Sequence, residues 1–172
     1  MPLKTKAPAS THKRVVVVLL DHTALRGYVN PNALGQAESI DLLTPAGEHQ
    51  AIAAEGVKCV HFVRELDADF EPERKVFLSR PKLDGLWVRI RFRDDDVIEG
   101  IVGNDLLSLL DAGVQFTPPD LHGNTLRIFV PRSALVEMKV LGVVGISRRA
   151  PQRRPEPATG EGEPAQSKLF KE

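Results

Sequence analysis

The chain has 172 residues, 42% apolar and 27% charged, with 23 basic and 23 acidic side chains. Such a composition suits a globular protein and excludes a collagen-like, disulfide-rich or wholly disordered one. The longest apolar run, Val15 to Leu20, is too short to span a bilayer, and a lone cysteine, Cys59, makes neither an internal disulfide nor a multi-cysteine metal site.

In chain order, residues 1–12 carry Lys, Ala, Pro, Ser and Thr without apolar periodicity and are expected to be disordered. Lys4, Lys6 and Lys13 precede the first apolar run, but it stops at Asp21 with no small-residue cleavage site, so a cytoplasmic protein is expected. From 13 to 64 the sequence predicts five short strands. The first is the Val15 run, which turns at Asp21-His22-Thr23. The second contains Gly27, and the rest lie near Ser39 to Leu43, His49 to Ala53 and Lys58 to Arg64. Residues 65–86 form a charged linker. Its Phe70, Val76, Phe77 and Leu78 need apolar cover and are expected to lie across the strands.

From 87 to 146 a second set follows. Val88, Ile90 and Phe92 alternate with Arg89, Arg91 and Arg93, a period of two that directs three apolar side chains to one face and three guanidinium groups to the other. Asp94-Asp95-Asp96 makes a turn, a strand with Gly100 follows, and strands are expected near Val114 to Thr117, Leu126 to Val130 and Ala134 to Leu141. Asp105 to Leu110 is expected to add a helical turn. Residues 147–172, rich in Pro, Gly and Glu, read as a disordered tail of mixed charge.

The two sets share a grammar. When residues 14–29 are set above 87–102, Asp21 matches Asp94, Leu25 matches Ile98, Gly27 matches Gly100 and Val29 matches Val102. Residues 51–63 lie over 127–139 with three residues more in the second copy, placed in the turn before it. An interior glycine in each second strand fits a sharp bend or bulge that curls a small sheet. The fold expected is therefore all-β, two tandem five-stranded barrels of the SH3-like or Sm-like kind. Each unit alone is expected to be marginal, and packing one copy against the other would relieve that.

A strand, an Asp-led turn, L-x-G-x-V and a closing RIFVPRSALVEM resemble the Sm-like barrel pattern. At the break where RNA-binding Sm proteins place Arg-Gly, this chain has Glu55-Gly56 in one copy and Pro131-Arg132 in the other. The span from Arg14 to Val140 also resembles an uncharacterised bacterial family, a domain of unknown function with duplicated β structure. That resemblance implies a fold and a bacterial cytoplasmic origin, and no activity.

No catalytic constellation emerges. The histidines His12, His22, His49, His61 and His122 lack H-x-x-x-H spacing, and no nucleophile elbow, phosphate-binding glycine loop or dinucleotide fingerprint occurs. Cys59, among Val57, Val60 and Phe62, reads as a buried thiol. The three aspartates at 94–96 read as turn chemistry before they read as a cation site. No enzyme, cofactor or metal is expected.

Trp87, Arg89, Arg91, Arg93 and Arg132 are the candidate ligand-binding residues, suited to phosphate or to an acidic partner. The rival reading of the arginine stripe is a solvated face paired with Glu99. Arg148, Arg149, Arg153 and Arg154 could add tail contacts. Arg149 and Arg153 also satisfy R-x-x-x-R, the first half of the pattern by which PilZ domains hold a cyclic dinucleotide, but the second half is missing. Residues 15–146 hold 13 basic against 19 acidic side chains, which on average repels a polyphosphate. The preferred expectation is thus a non-catalytic adaptor with a protein partner. RNA binding is the alternative and cyclic-dinucleotide sensing a weaker one.

Overall fold

The computed structural model describes residues 11–70, 74–105, 107 and 112–145. It is all-β, with ten strands: β1 (Lys13–Leu19), β2 (Ala24–Val29), β3 (Ser39–Leu43), β4 (His49–Ala53), β5 (Val57–Val63), β6 (Gly85–Phe92), β7 (Val97–Val102), β8 (Gly113–Phe116), β9 (Thr125–Pro131) and β10 (Leu135–Val144). They form a seven-stranded sheet in the order β4-β3-β2-β1-β5-β9-β8 and a three-stranded sheet in the order β10-β6-β7. An isolated antiparallel bridge, Ile101 to Thr117, links the second sheet to the segment after β8. The expected helical turn at Asp105 to Leu110 falls mostly outside the described residues.

The Asp-led turns are alike in detail. Asp21 accepts from the Thr23 amide at 2.9 Å and Asp94 from the Asp96 amide at 3.2 Å. His22 and Asp95 occupy the left-handed region at φ 69° and 60°. Short polar side chains that bond to their own backbone tolerate such turns. Both halves also break before their last strand into a 3-10 turn, Ala54–Gly56 and Arg132–Ala134. Gly56 O accepts from the Leu20 amide, and Ala134 O accepts from the Arg93 amide. This corrects the sequence alignment of the later strands: Val57 corresponds to Leu135, two residues beyond the register read from apolar spacing. Five residues, not three, are extra in the second half.

The paired glycines also have a different cause from the one expected. Neither sits at a bulge, because Val15↔Gly27 and Val88↔Gly100 belong to unbroken ladders. A Cβ at Gly27 would collide with the Leu43 carbonyl, and one at Gly100 with the Phe116 ring. Each glycine allows the following strand to pass close over the sheet.

The halves share a sheet. β5 pairs with β9 through Val60↔Phe129, His61↔Ile128 and Phe62↔Arg127. Alternation along β5 then sends neighbouring side chains into different cores. Val60 joins Val15, Val17, Leu42, Ile52 and Phe62 in the first core, and Phe129 of the second half enters there too. Cys59 points the other way, into the core of Val88, Ile90, Phe92, Phe116, Ile128 and Val130. Each half thereby contributes a side chain to the other's interior, the mutual support that two such small units require.

The linker lies across the strands only in part. Phe70 meets His61 edge-on with ring centroids 4.9 Å apart, and Phe77 meets Trp87 at 6.1 Å. Val76 and Leu78, expected under cover, are 43% and 78% exposed. Among the described residues, no helix is long and apolar enough to cross a membrane.

Candidate functional site

Trp87, Arg89 and Arg91 do share the outer face of β6, but they are occupied. Glu99, opposite Arg89 on β7, is buried, and its carboxylate accepts from Arg89 at 2.7 and 3.2 Å, from the Trp87 indole at 3.1 Å and from the Phe77 amide at 3.1 Å. Burial opposes ionisation of Glu99, yet these donors outweigh it and hold the carboxyl below its ordinary range. Arg91 pairs with Asp95 at 3.2 Å and with Glu137 at 3.6 Å. The stripe is therefore a charge-compensated face. Arg93 follows β6, where its amide bonds to Ala134. Arg132 sits exposed in the 3-10 turn, apart from the stripe, with its amide bonded to Ala112 O at 2.8 Å. Arg148, Arg149, Arg153 and Arg154 lie outside the described residues.

The second feature is the seam between the halves. Lys58, buried on β5, reaches across to the β6–β7 turn and donates to Asp94 at 2.5 Å and to Asp96 at 2.9 Å, with its ammonium 4.9 Å from the Phe92 ring centroid. Lys75 closes on Asp96 from the linker side at 2.7 Å. Burial alone would lower the Lys58 pKa, but the two aspartates outweigh it and raise it. Burial pushes Asp96 up, and Lys75 and Lys58 pull it further down, to about 2. Asp94 and Asp96 thus serve as counterions for a buried lysine, while Asp95 pairs with Arg91.

Beside this cluster is a cavity of about 180 Å³ lined by Lys58, Cys59, His61, Phe70, Phe92 and Asp96, among others. Cys59 Sγ stands 3.3 Å from His61 Nε2, and His61 Nδ1 stands 3.3 Å from Thr125 Oγ1. A thiol beside an imidazole resembles an activated nucleophile, but the surroundings disarm it. Burial pushes the thiol up to about 12, and burial together with Lys58 brings the imidazole down to about 4. At neutral pH both groups are uncharged, and the thiolate that attacks electrophiles is scarce.

The third feature was not singled out in the sequence. A groove of about 840 Å³ crosses one end of the seven-stranded sheet, where β2, β1, β5 and β9 lie side by side. Its rim carries Lys13, Arg14, Arg64 and Arg127, with Tyr28 and the exposed Leu126 providing apolar surface, and no acidic side chain lines it among the described residues. The registers Arg14↔Tyr28, Val15↔Phe62 and Phe62↔Arg127 explain the gathering, since each places a residue of one strand beside the next. Arg64 is braced by donating to Gly123 O at 3.3 Å and Leu121 O at 3.4 Å, and Arg14 donates to Arg64 O at 2.7 Å. Lys13 and Arg127 are exposed. These cations come from segments more than a hundred residues apart, and only the β5–β9 pairing brings them together.

No curated protein and no solved structure matches this sequence significantly. Residues 11–142, which hold the seam, the groove and all of the two sheets but the end of β10, match the model of DUF6982, a family of unknown function, and the chain belongs to that family.

Proposed function

We propose that the chain is a non-catalytic binding protein built from two tandem Sm-like or SH3-like units, and that its groove takes an extended acidic segment of a protein partner. The repeated turns, the repeated 3-10 breaks and a similar order of pairing, with the Ile101–Thr117 bridge standing where β2 meets β3 in the first half, support the tandem reading. The observation that carries the function is the groove. Four cations converge from neighbouring strands without a lining carboxylate, in a chain whose residues 15–146 are otherwise net acidic. That contrast favours a short acidic ligand over a long polyphosphate, which the surrounding charge would repel. Tyr28 and Leu126 offer apolar area beside the charges, the mixture that peptide grooves use.

Fluorescence anisotropy with a labelled Glu-rich peptide tests this, with mixed-sequence single-stranded RNA as the second titrant at about 50 and 200 mM salt. Lys13→Glu combined with Arg127→Glu is expected to weaken the peptide by more than about tenfold, because each reversal sets like charges against the ligand. Arg89→Ala is expected to leave it unchanged. Peptide binding indifferent to the groove reversal removes the proposal, and RNA binding lost with the same reversal would transfer the groove to nucleic acid.

A further inference from the structure

Strand β10 borders its sheet, paired with β6 on one side and with no strand on the other among the described residues. Its counterpart in the first half, β5, is flanked on both sides, by β1 and β9. The open edge carries large apolar groups: Val136, Val140 and Val143 are 49%, 52% and 63% exposed. Register shifts against β6 occur between Leu135 and Glu137 and again between Val140 and Gly142, so the regular part of the edge is short and centred near Met138.

The sequence of that stretch is self-complementary. Leu135-Val136-Glu137-Met138-Lys139-Val140-Leu141 reads the same from either end in chemical kind, with opposite charges one step either side of the centre. Two such strands laid antiparallel about an axis at Met138 set Glu137 opposite the partner's Lys139, and Lys139 opposite the partner's Glu137. The shifts at Val136 and Leu141 end the regular ladder on either side, so Val136 and Val140 flank the charged pairs as apolar cover. Opposite charges placed directly across are pairs that stabilise antiparallel ladders. An isologous two-fold contact needs this kind of self-complementarity. In the single chain Glu137 meets both Arg91 and Lys139 at 3.6 Å on a half-exposed face, where solvent-screened pairs of this length are weak.

Of the other edge strands, β7 and β8 adjoin through the Ile101–Thr117 bridge, and β4 is a poorer occupant. By the structural register, His49, Gln50 and Ala51 stand where β9 has Arg127, Ile128 and Phe129, so the apolar groups that seat β9 on β5 are missing from β4. We infer that two copies of the chain join edge to edge through β10, in an antiparallel ladder centred on Met138.

Sedimentation equilibrium on the full chain decides this. The expected mass is twice the 18.9 kDa of one chain. Glu137→Lys and Lys139→Glu, made singly, each create two like-charge pairs and are expected to weaken the dimer at least about tenfold. The double variant Glu137→Lys/Lys139→Glu restores alternation and is expected to restore the dimer, while far-UV circular dichroism shows that all three remain folded. A monomer at every concentration overturns the inference. So does a mass that climbs past the dimer as head-to-tail growth would, a dimer indifferent to the single reversals, or a double variant that stays monomeric.

Discussion

His61 gives the sharpest test of the seam between the halves. Burial, reinforced by Lys58, lowers its pKa to about 4, against about 6.5 in an unfolded chain. Between those values the unfolded chain binds more protons than the fold, so stability falls as pH drops through that window and is regained as pH rises. The linkage relation gives a loss of about 2 kcal/mol between pH 7 and pH 5, nearing about 3 kcal/mol at pH 4. With a urea dependence of about 1–3 kcal/mol per molar for a chain of this size, the denaturation midpoint should move down by about 1 M from pH 7 to pH 5. His61→Gln keeps polar atoms near Cys59 and Thr125 but cannot titrate, and its midpoint should change little over the same interval. A wild-type midpoint that stays level, or a variant that falls equally, would refute a neutral buried imidazole at this position.

Two further outcomes follow from the packing. Lys58→Ala leaves Asp94 and Asp96 facing each other with only Lys75 to compensate, and should cost about 2–4 kcal/mol. The low end is expected, because the aspartate side chains are 19% and 28% exposed, and adding Asp94→Asn and Asp96→Asn should recover part of it; a variant as stable as the parent in urea would rule out a structural lysine. Gly100→Ala drives a methyl into the Phe116 ring and should destabilise by about 1–3 kcal/mol in thermal unfolding, whereas Gly56→Ala, with nothing near its added carbon, should stay within about 1 kcal/mol of the parent; equal effects at the two sites would remove the close-approach explanation.

Local features of the fold were legible because they are encoded locally. The alternation Val88, Ile90, Phe92 against Arg89, Arg91, Arg93 needs only a period of two, and the aspartates at 21 and 94 mark turns through bonds to amides two residues on. The pairing of Arg89 with Glu99 was likewise readable, since a two-strand hairpin places residues an equal distance from its turn across from each other. Contacts between distant segments were not legible. Nothing in the periodicity of β5 or β9 says that they adjoin, so neither the seam around Lys58 nor the groove of Lys13, Arg14, Arg64 and Arg127 could be assembled in advance. The misplaced register of the last strands has a similar origin. Apolar spacing slides by two residues without penalty, and only the 3-10 turns at Ala54–Gly56 and Arg132–Ala134 fix the frame.

The ladder between Val60 and Phe129 has a further consequence for how the polypeptide can be divided. Scission anywhere between β5 and β6 would leave two fragments, each with a raw hydrogen-bonding border and an orphaned side chain, Cys59 in one and Phe129 in the other. Neither fragment should persist alone, yet mixed together they should recombine, and the intact molecule should melt in a single transition. On this reasoning the two parts of the chain are expected to be obligate companions.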